Sequence, residues 1–269
     1  MTNIVPLNNR AAVGLGGEDR VSFLQGLVSN DVTQTKPGHA VWTALLTPQG
    51  RWLADFFIIS DGNRLLLDCE RDQAEMILQK LARFKLRAKV TLELTDWHVG
   101  VAWGGPPPDG PLSAPDPRLP DAGYRLLSPQ PIAGNADEAA WHAHRINLGL
   151  PDGSRDLEPE RTLLLEAGFD ELNGISWSKG CYMGQELTAR TRYRGLVKKR
   201  LLPVRGETDL NPGKILAGEQ EVGDLRSVSG TQGLAMLRLD HLSGPLAAGG
   251  QKIAVEVPVW VKVKELQVG

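Results

Sequence analysis

Apolar positions along the first hundred residues switch between helical and strand spacing, and the switches mark the elements. In GEDRVSFLQGLVSND (17–31), Leu24, Leu27 and Val28 form one stripe behind Asp19, a residue type suited to an N-cap, so the segment predicts a helix. Gly26 inside it costs about 1 kcal/mol against alanine and reads as a point of close packing against another backbone. ALLTPQGRWLADFFIIS (44–60) predicts two strands around a Pro-Gln-Gly turn, and RLLLDC (64–69) a third. RDQAEMILQKLARFK (71–85) has Ala74, Ile77, Leu78 and Leu81 on one helical face, with Asp72 and Glu75 spaced as a capping box. AKVTLEL (88–94) returns as a strand. Strands and helices joined by short connections predict an α+β layer.

The pattern then breaks. Residues 104–121 hold seven prolines, a density that predicts a surface loop or linker. DEAAWHAHRINLGLP (137–151) predicts a helix stopped by Gly149 and Pro151. From about residue 200, short β-rich runs alternate with Gly, Pro and Asn turns. IAVEVPVWVKV (253–263) puts Ile253, Val255, Val257, Val259, Val261 and Val263 on one face, with Pro258 marking an edge or bulge. This texture predicts a small antiparallel barrel closing the chain.

Composition changes the picture only by exclusion. With 269 residues the chain has room for two or three cores. Its net charge of −2 argues against a disordered chain or a bulk nucleic-acid binder. No run approaches the roughly 18 apolar residues of a spanning helix, so no membrane is expected as a partner. MTNIVPLNNRAAV lacks the basic and apolar regions of a secretory signal. Two cysteines, far apart in sequence, predict free thiols in a reducing compartment: cytoplasmic, or the mitochondrial matrix for a eukaryotic source.

Familiar site chemistries are absent from the sequence. There is no Walker A loop and no G-x-S-x-G elbow, and GLGGED (14–19) does not fit G-x-G-x-x-G. His142 and His144 stand two apart on a predicted helix and face different ways. Two cysteines are too few for an ordinary iron–sulfur cluster, and no metal site is expected. That leaves SKGCYMGQELTAR (178–190). Trp177 to Cys181 reads as a turn, with a helix starting near Gly184. Cys181, between two glycines, lacks the apolar neighbours of a core cysteine, and the helix dipole and Lys179 both favour its thiolate. Cys69, ending the apolar run LLLDC, reads as a core residue. Lys179, Arg190, Arg192, Arg194, Lys198, Lys199 and Arg200 oppose only Glu186 and suggest a patch for a polycarboxylate or an RNA backbone.

KGCYMGQE (179–186) resembles the K-G-C-Y-x-G-Q-E signature of the YgfZ family, folate-binding proteins connected with iron–sulfur cluster maintenance. FLQGLVSNDV (23–32), TPQGRWLADFFI (47–58), ERTLLLEAGF (160–169) and the PG…EVG…GLA pattern (212–235) are similar to that family and to the related glycine-cleavage aminomethyltransferases. The resemblance implies a ring-like arrangement: a mixed α/β folate-binding part (1–196, two subdomains) and a C-terminal antiparallel β-barrel (197–269), with folate in a central channel. Glu166 in RTLLLEAG matches the pterin-contacting glutamate, and Cys181 the signature cysteine. Lys179, Gln185, Glu186, Arg190, Arg192 and Arg194 complete the expected folate-facing set. Asp68 and Asp72 both fall where the transferases carry a catalytic aspartate, and spacing does not choose between them.

The combined expectation is a protein binding tetrahydrofolate or a derivative and supporting assembly or repair of iron–sulfur clusters in client proteins, with Cys181 as a redox or transient-ligand thiol. Its partners would be folate and the client or assembly proteins. Two alternatives stand beside it: a folate-dependent one-carbon transferase, and an RNA-binding accessory to tRNA modification that uses the 190–200 run.

Overall fold

The structure, a computed structural model, describes residues 1–195 and 197–262. The chain opens with β1 (Asn3–Pro6), which lies in a different sheet from the strand that follows it. Next come β2 (Arg10–Gly16), α1 (Arg20–Gln25), β3 (Val41–Leu46), β4 (Trp52–Ser60), β5 (Leu65–Glu70), α2 (Arg71–Lys85) and β6 (Thr91–Leu94). These five strands form one antiparallel sheet in the order β3-β4-β5-β2-β6. A second sheet, β1-β7-β9-β8, adds β7 (His98–Trp103), β8 (Leu112–Pro115) and β9 (Tyr124–Ser128) to the first strand. After α3 (Glu138–Leu148) and a long irregular segment come α4 (Gln185–Tyr193) and six strands. These are β10 (Lys199–Gly206), β11 (Gly213–Ala217), β12 (Gln220–Ser229), β13 (Gln232–Arg238), β14 (Leu246–Ala248) and β15 (Gln251–Val255), closed into an antiparallel barrel.

Strand alternation gives the five-stranded sheet two unlike faces. Val13, Leu15, Leu45, Phe56, Ile58, Leu67 and Cys69 pack with α1 and α2 in an aliphatic core. The opposite face carries Arg10, Trp42, Asp55, Phe57 and Asp68, brought side by side by the pairings Trp42↔Phe57 and Phe57↔Asp68. Part of this face packs on the second sheet through Ala12, Ile59, Leu66, Val99 and Leu127. Another part shares a core with residues 157–182 and with Leu201, Leu234 and Met236 of the barrel. Helix α3 touches β1 of the second sheet and β10, β12 and β13 of the barrel. Three layers therefore meet around a centre, and the polar face of the first sheet looks into it.

Several expectations are corrected. The first helix is short: α1 ends at Gln25, and Leu27 and Val28 are buried from the loop after it, where Val28 bridges to Leu45. A side chain at Gly26 would meet open space rather than another backbone. The Asp19 carboxylate accepts from the Lys89 N–H instead of capping α1. Helix α2 starts at Arg71 with no side-chain cap, so the Asp72–Glu75 box does not form. The proline-rich stretch is no free linker. It supplies β8, which pairs with β9 at the edge of its sheet among the described residues, and an edge strand is where prolines are tolerated. It also buries Asp116 and Arg118. The last strand stops at Val255; Val257 and Val259 are exposed, Val261 is buried, and Val263 lies outside the described residues. The stop at 149 holds, with Gly149 in the left-handed conformation that ends α3.

The centre is held by charge. Asp68, fully buried on β5, accepts from Arg10 on β2 and from Arg125 on β9, so one carboxylate ties the two sheets together. Removing one partner of such a buried set leaves uncompensated charge, at a cost of about 3–5 kcal/mol. Asp68→Ala is expected to lose stability in that range by urea unfolding. A loss below about 1 kcal/mol would mean that the two arginines find other partners.

Candidate functional site

The loop carrying Cys181 is built by contacts on three sides. Gly184 (φ +81°) and Gly50 (φ +82°) meet back to back, and a Cβ on Gly184 would lie 2.6 Å from the Thr47 carbonyl oxygen and 3.0 Å from Gly50 Cα. The β3–β4 hairpin turn and the KGCYMG loop can approach this closely only because both positions are glycine. The Met183 N–H donates to the Gly26 carbonyl at 3.1 Å. Lys179 turns inward: its ammonium donates to the carbonyls of Val28 (2.7 Å) and Asn30 (2.6 Å) and lies 5.2 Å from the Tyr182 ring centroid. Burial pulls its pKa down to about 8, against the raising influence of Asp31. Its ammonium thus fastens the loop to the segment after α1.

Cys181 itself is exposed, whereas Cys69 is buried and burial pushes its thiol up to about 12. An open groove of about 740 Å³ begins at Ser178, floored by Val41, Ile175 and Trp177 and edged by Asn30 and Asp31. Gln185 stays within the loop, its side-chain oxygen accepting from the Tyr182 N–H at 3.3 Å.

Members of the basic run take different partners. Arg190 pairs with Glu186 one turn away, and Arg192 stacks 4.0 Å from the Trp177 ring centroid. Arg200 is buried, 2.9 Å from Glu171. Arg194, Lys198 and Lys199 are exposed. Glu166 closes a capping arrangement on its own short turn, accepting from the Leu163 N–H at 3.1 Å. Burial raises its pKa, with that hydrogen bond, Lys199 and Arg51 working the other way.

The ring centre gathers charged residues that motif reading missed. Arg118, from the proline-rich segment, is held by Asp116 and donates to the Pro151 carbonyl at 2.9 Å. Arg145 of α3 binds Asp156 at 2.6 Å and Ser227 of the barrel at 2.7 Å. The guanidinium carbons of Arg10, Arg118 and Arg125 lie 5.7, 4.8 and 4.4 Å from the Phe57 ring centroid. Asp55 accepts from the indoles of Trp42 (2.9 Å) and Trp52 (3.1 Å). Burial lifts its pKa to about 6 despite those bonds and Arg10. Burial would raise Asp152 as well, but Arg145, Arg10, Arg155 and Arg118 hold it down to about 2. The available signal was a carboxylate inside each apolar strand, Asp55 in WLADFFIIS and Asp68 in LLLDC.

Three comparisons bear on this architecture. Residues 198–263 match the family described as "CAF17, C-terminal beta-barrel domain". The chain is 33% identical over 300 residues to the human iron-sulfur cluster assembly factor IBA57, mitochondrial, covering 94% of this chain and 84% of that one. The chain belongs to the IBA57 family. An IBA57 homolog from Mycosarcoma maydis is 39% identical over 222 residues, covering 73% of this chain and 55% of its own, so the chain spans about half the length of that fungal relative. The glycine cleavage system aminomethyltransferase T from Bartonella henselae superposes with a TM-score of 0.77 at 13% identity, over 97% of this chain and 87% of that one, a likeness of fold.

The resemblance implies a folate at the centre of this IBA57-family chain. The free space among Arg10, Asp55, Phe57, Arg118 and Arg125 is a cavity of about 10 Å³, scarcely room for one water. Three guanidinium groups lie against the Phe57 ring, and Glu166 caps its own turn, outside this cavity. The residues as arranged do not fit a pterin there. Neither candidate aspartate is free for chemistry at the centre: Asp68 is held by two arginines, and Asp72 is exposed on α2.

Asp55 gives the centre a pH signature. Its pKa is raised on folding, so the folded state holds its proton more tightly. Stability is favoured below its unfolded value near 4 and declines as pH rises to about 6, a swing of about 3 kcal/mol at most. Asp55→Asn, which cannot ionise, is expected to gain relative to the parent between pH 4 and 6 in denaturant unfolding. Parallel curves for the two proteins would show that Asp55 ionises normally.

Proposed function

We propose that the chain supports assembly of iron–sulfur clusters in client proteins, with Cys181 as a transient ligand for a cluster in passage. The observation that carries the reading is an exposed thiol on a loop fastened by Lys179, Gly184 and Met183. Membership in a family whose relatives are named iron-sulfur cluster assembly factors supports it. A soft thiolate suits iron–sulfur cargo. Cys181 would lose its proton on taking an iron site and regain one on release, with no net redox change. One protein cysteine does not complete a cluster's coordination, so the remaining ligands would come from the delivering or receiving protein. Those assembly and client proteins are the partners proposed. The relatives' names carry "mitochondrial", and for a eukaryotic source we propose the matrix.

Cys181→Ala is expected to fold with near-parental stability, because the side chain is exposed, yet to fail in restoring iron–sulfur enzyme activity to cells lacking the protein. In the native protein an alkylating reagent should label Cys181 and spare Cys69 until unfolding. Normal rescue by the alanine variant, or Cys69 labelling first, would remove the thiol from the function.

For tetrahydrofolate or a derivative as a second ligand, the likeness of fold to an aminomethyltransferase speaks in favour, while the filled centre admits it only if a side chain moves. If it enters the centre, a guanidinium must leave the Phe57 ring. Calorimetry should then find weak binding to the parent protein, tighter binding to Arg118→Ala, and no change with Glu166→Gln. Tight parental binding weakened by Glu166→Gln would restore the glutamate to a pterin-binding role. The transferase alternative lacks a free central carboxylate at either candidate position, and for the RNA alternative the exposed cations without an ion pair among the described residues are Arg194, Lys198 and Lys199.

A further inference from the structure

The end of α2 and the turn after it form a basic tip. Lys80, Arg83, Lys85, Arg87 and Lys89 fall within ten residues, in a chain of net charge −2. Lys89 pairs with Glu18 at 2.8 Å, and the other four make no ion pair among the described residues. Two large apolar side chains stand among them, Phe84 at 44% exposure and Leu86 at 89%. Leu86 has φ +42° and ψ −107°, a positive-φ backbone that is unfavourable for a residue of its bulk.

This outward leucine is not a frayed end. The Ala88 N–H donates to the Lys85 carbonyl at 2.7 Å and closes the turn. The Lys89 N–H donates to the Asp19 carboxylate at 2.8 Å, and the Asp19 N–H donates back to the Lys89 carbonyl. Gly17 (φ +99°) allows that approach, since a Cβ there would lie 2.1 Å from the Lys89 carbonyl oxygen. The turn is clamped on both sides while its apolar side chain points to solvent.

We infer that this tip is a peripheral docking surface for an anionic lipid bilayer. Cations gather at a negatively charged headgroup layer, and apolar side chains between them enter the interface. The patch is a projection with no hollow: residues 80–89 line none of the cavities described above. A projecting leucine suits a deformable layer. A single-stranded nucleic acid would accept the cations and could stack a base on Phe84, but a leucine projecting from a convex turn offers a base no flat surface. The contact needs no spanning helix, and it departs from the expectation that a membrane has no part. Helix α1 links the tip to the thiol loop, with Asp19 bonded to Lys89 at one end and Gly26 bonded to Met183 at the other. Its six residues span about 9 Å, so a bilayer-bound chain would hold Cys181 near the membrane.

The test is flotation of the full chain with vesicles of phosphatidylglycerol and phosphatidylcholine (1:1) against phosphatidylcholine alone. Binding is expected only to the anionic vesicles, and to fall as salt rises. Each cation removed, as in Lys85→Gln or Arg87→Gln, should weaken it roughly fivefold. Leu86→Gly relieves the positive-φ strain, so it should keep or raise stability while reducing flotation. This separates a surface role from a structural one. The vesicle readout does not involve Cys181, so its failure is distinct from failure of the cluster-assembly reading. Absence of flotation, equal binding to neutral vesicles, or full binding by Leu86→Gly would overturn the inference. So would binding to single-stranded RNA that is tighter than vesicle binding and unaffected by Leu86→Gly.

Discussion

One carboxylate organises the ring. Asp68 sits in an apolar strand with no exposed surface, and it is tolerable there because arginines from two other strands reach it. Arg10 comes from its own sheet and Arg125 from the next, so neither sheet can shift without opening a buried ion pair. Around this contact the same solution recurs, with Arg118 on Asp116 and Arg145 on Asp156. A centre built this way is specific in geometry because each charge needs its partner in place. It is also full: the space left among these side chains is about 10 Å³.

The elements were largely legible where local periodicity carries them. The β3–β4 hairpin, α2, α3 and the closing barrel follow from apolar spacing and turn residues. Alternation also shows that Asp68 and Cys69 must face opposite ways, one to the centre and one to the aliphatic core. Periodicity reports faces, not partners, so it could not join Asp68 to Arg10 and Arg125, residues distant in sequence. The proline-rich stretch misled for a related reason. Proline density excludes a central strand but not an edge, and the burial of Arg118 depends on a carbonyl supplied by Pro151. The glutamate in RTLLLEAG kept its motif position, while its carboxylate turned back to cap a neighbouring N–H.

The thiol loop was legible in exposure but not in how it is held. Glycines on both sides of Cys181 announced an open site. They did not announce that the neighbouring lysine would be drawn into backbone carbonyls, or that the arginines of the following helix would be taken up by Glu186 and Trp177. What is left at the surface is an exposed thiol on a fastened loop, open to a handover between proteins.

The contact between Gly50 and Gly184 has an evolutionary consequence. In most packed pairs a larger residue on one side can be offset by a smaller one on the other, and the two positions drift together through compensating changes. Here both partners already lack a side chain, and both use a backbone conformation that favours its absence. No compensation remains to be made. The two sites should therefore be frozen independently rather than covarying. Statistical searches for coupled positions would then be blind to one of the contacts that fixes the thiol loop.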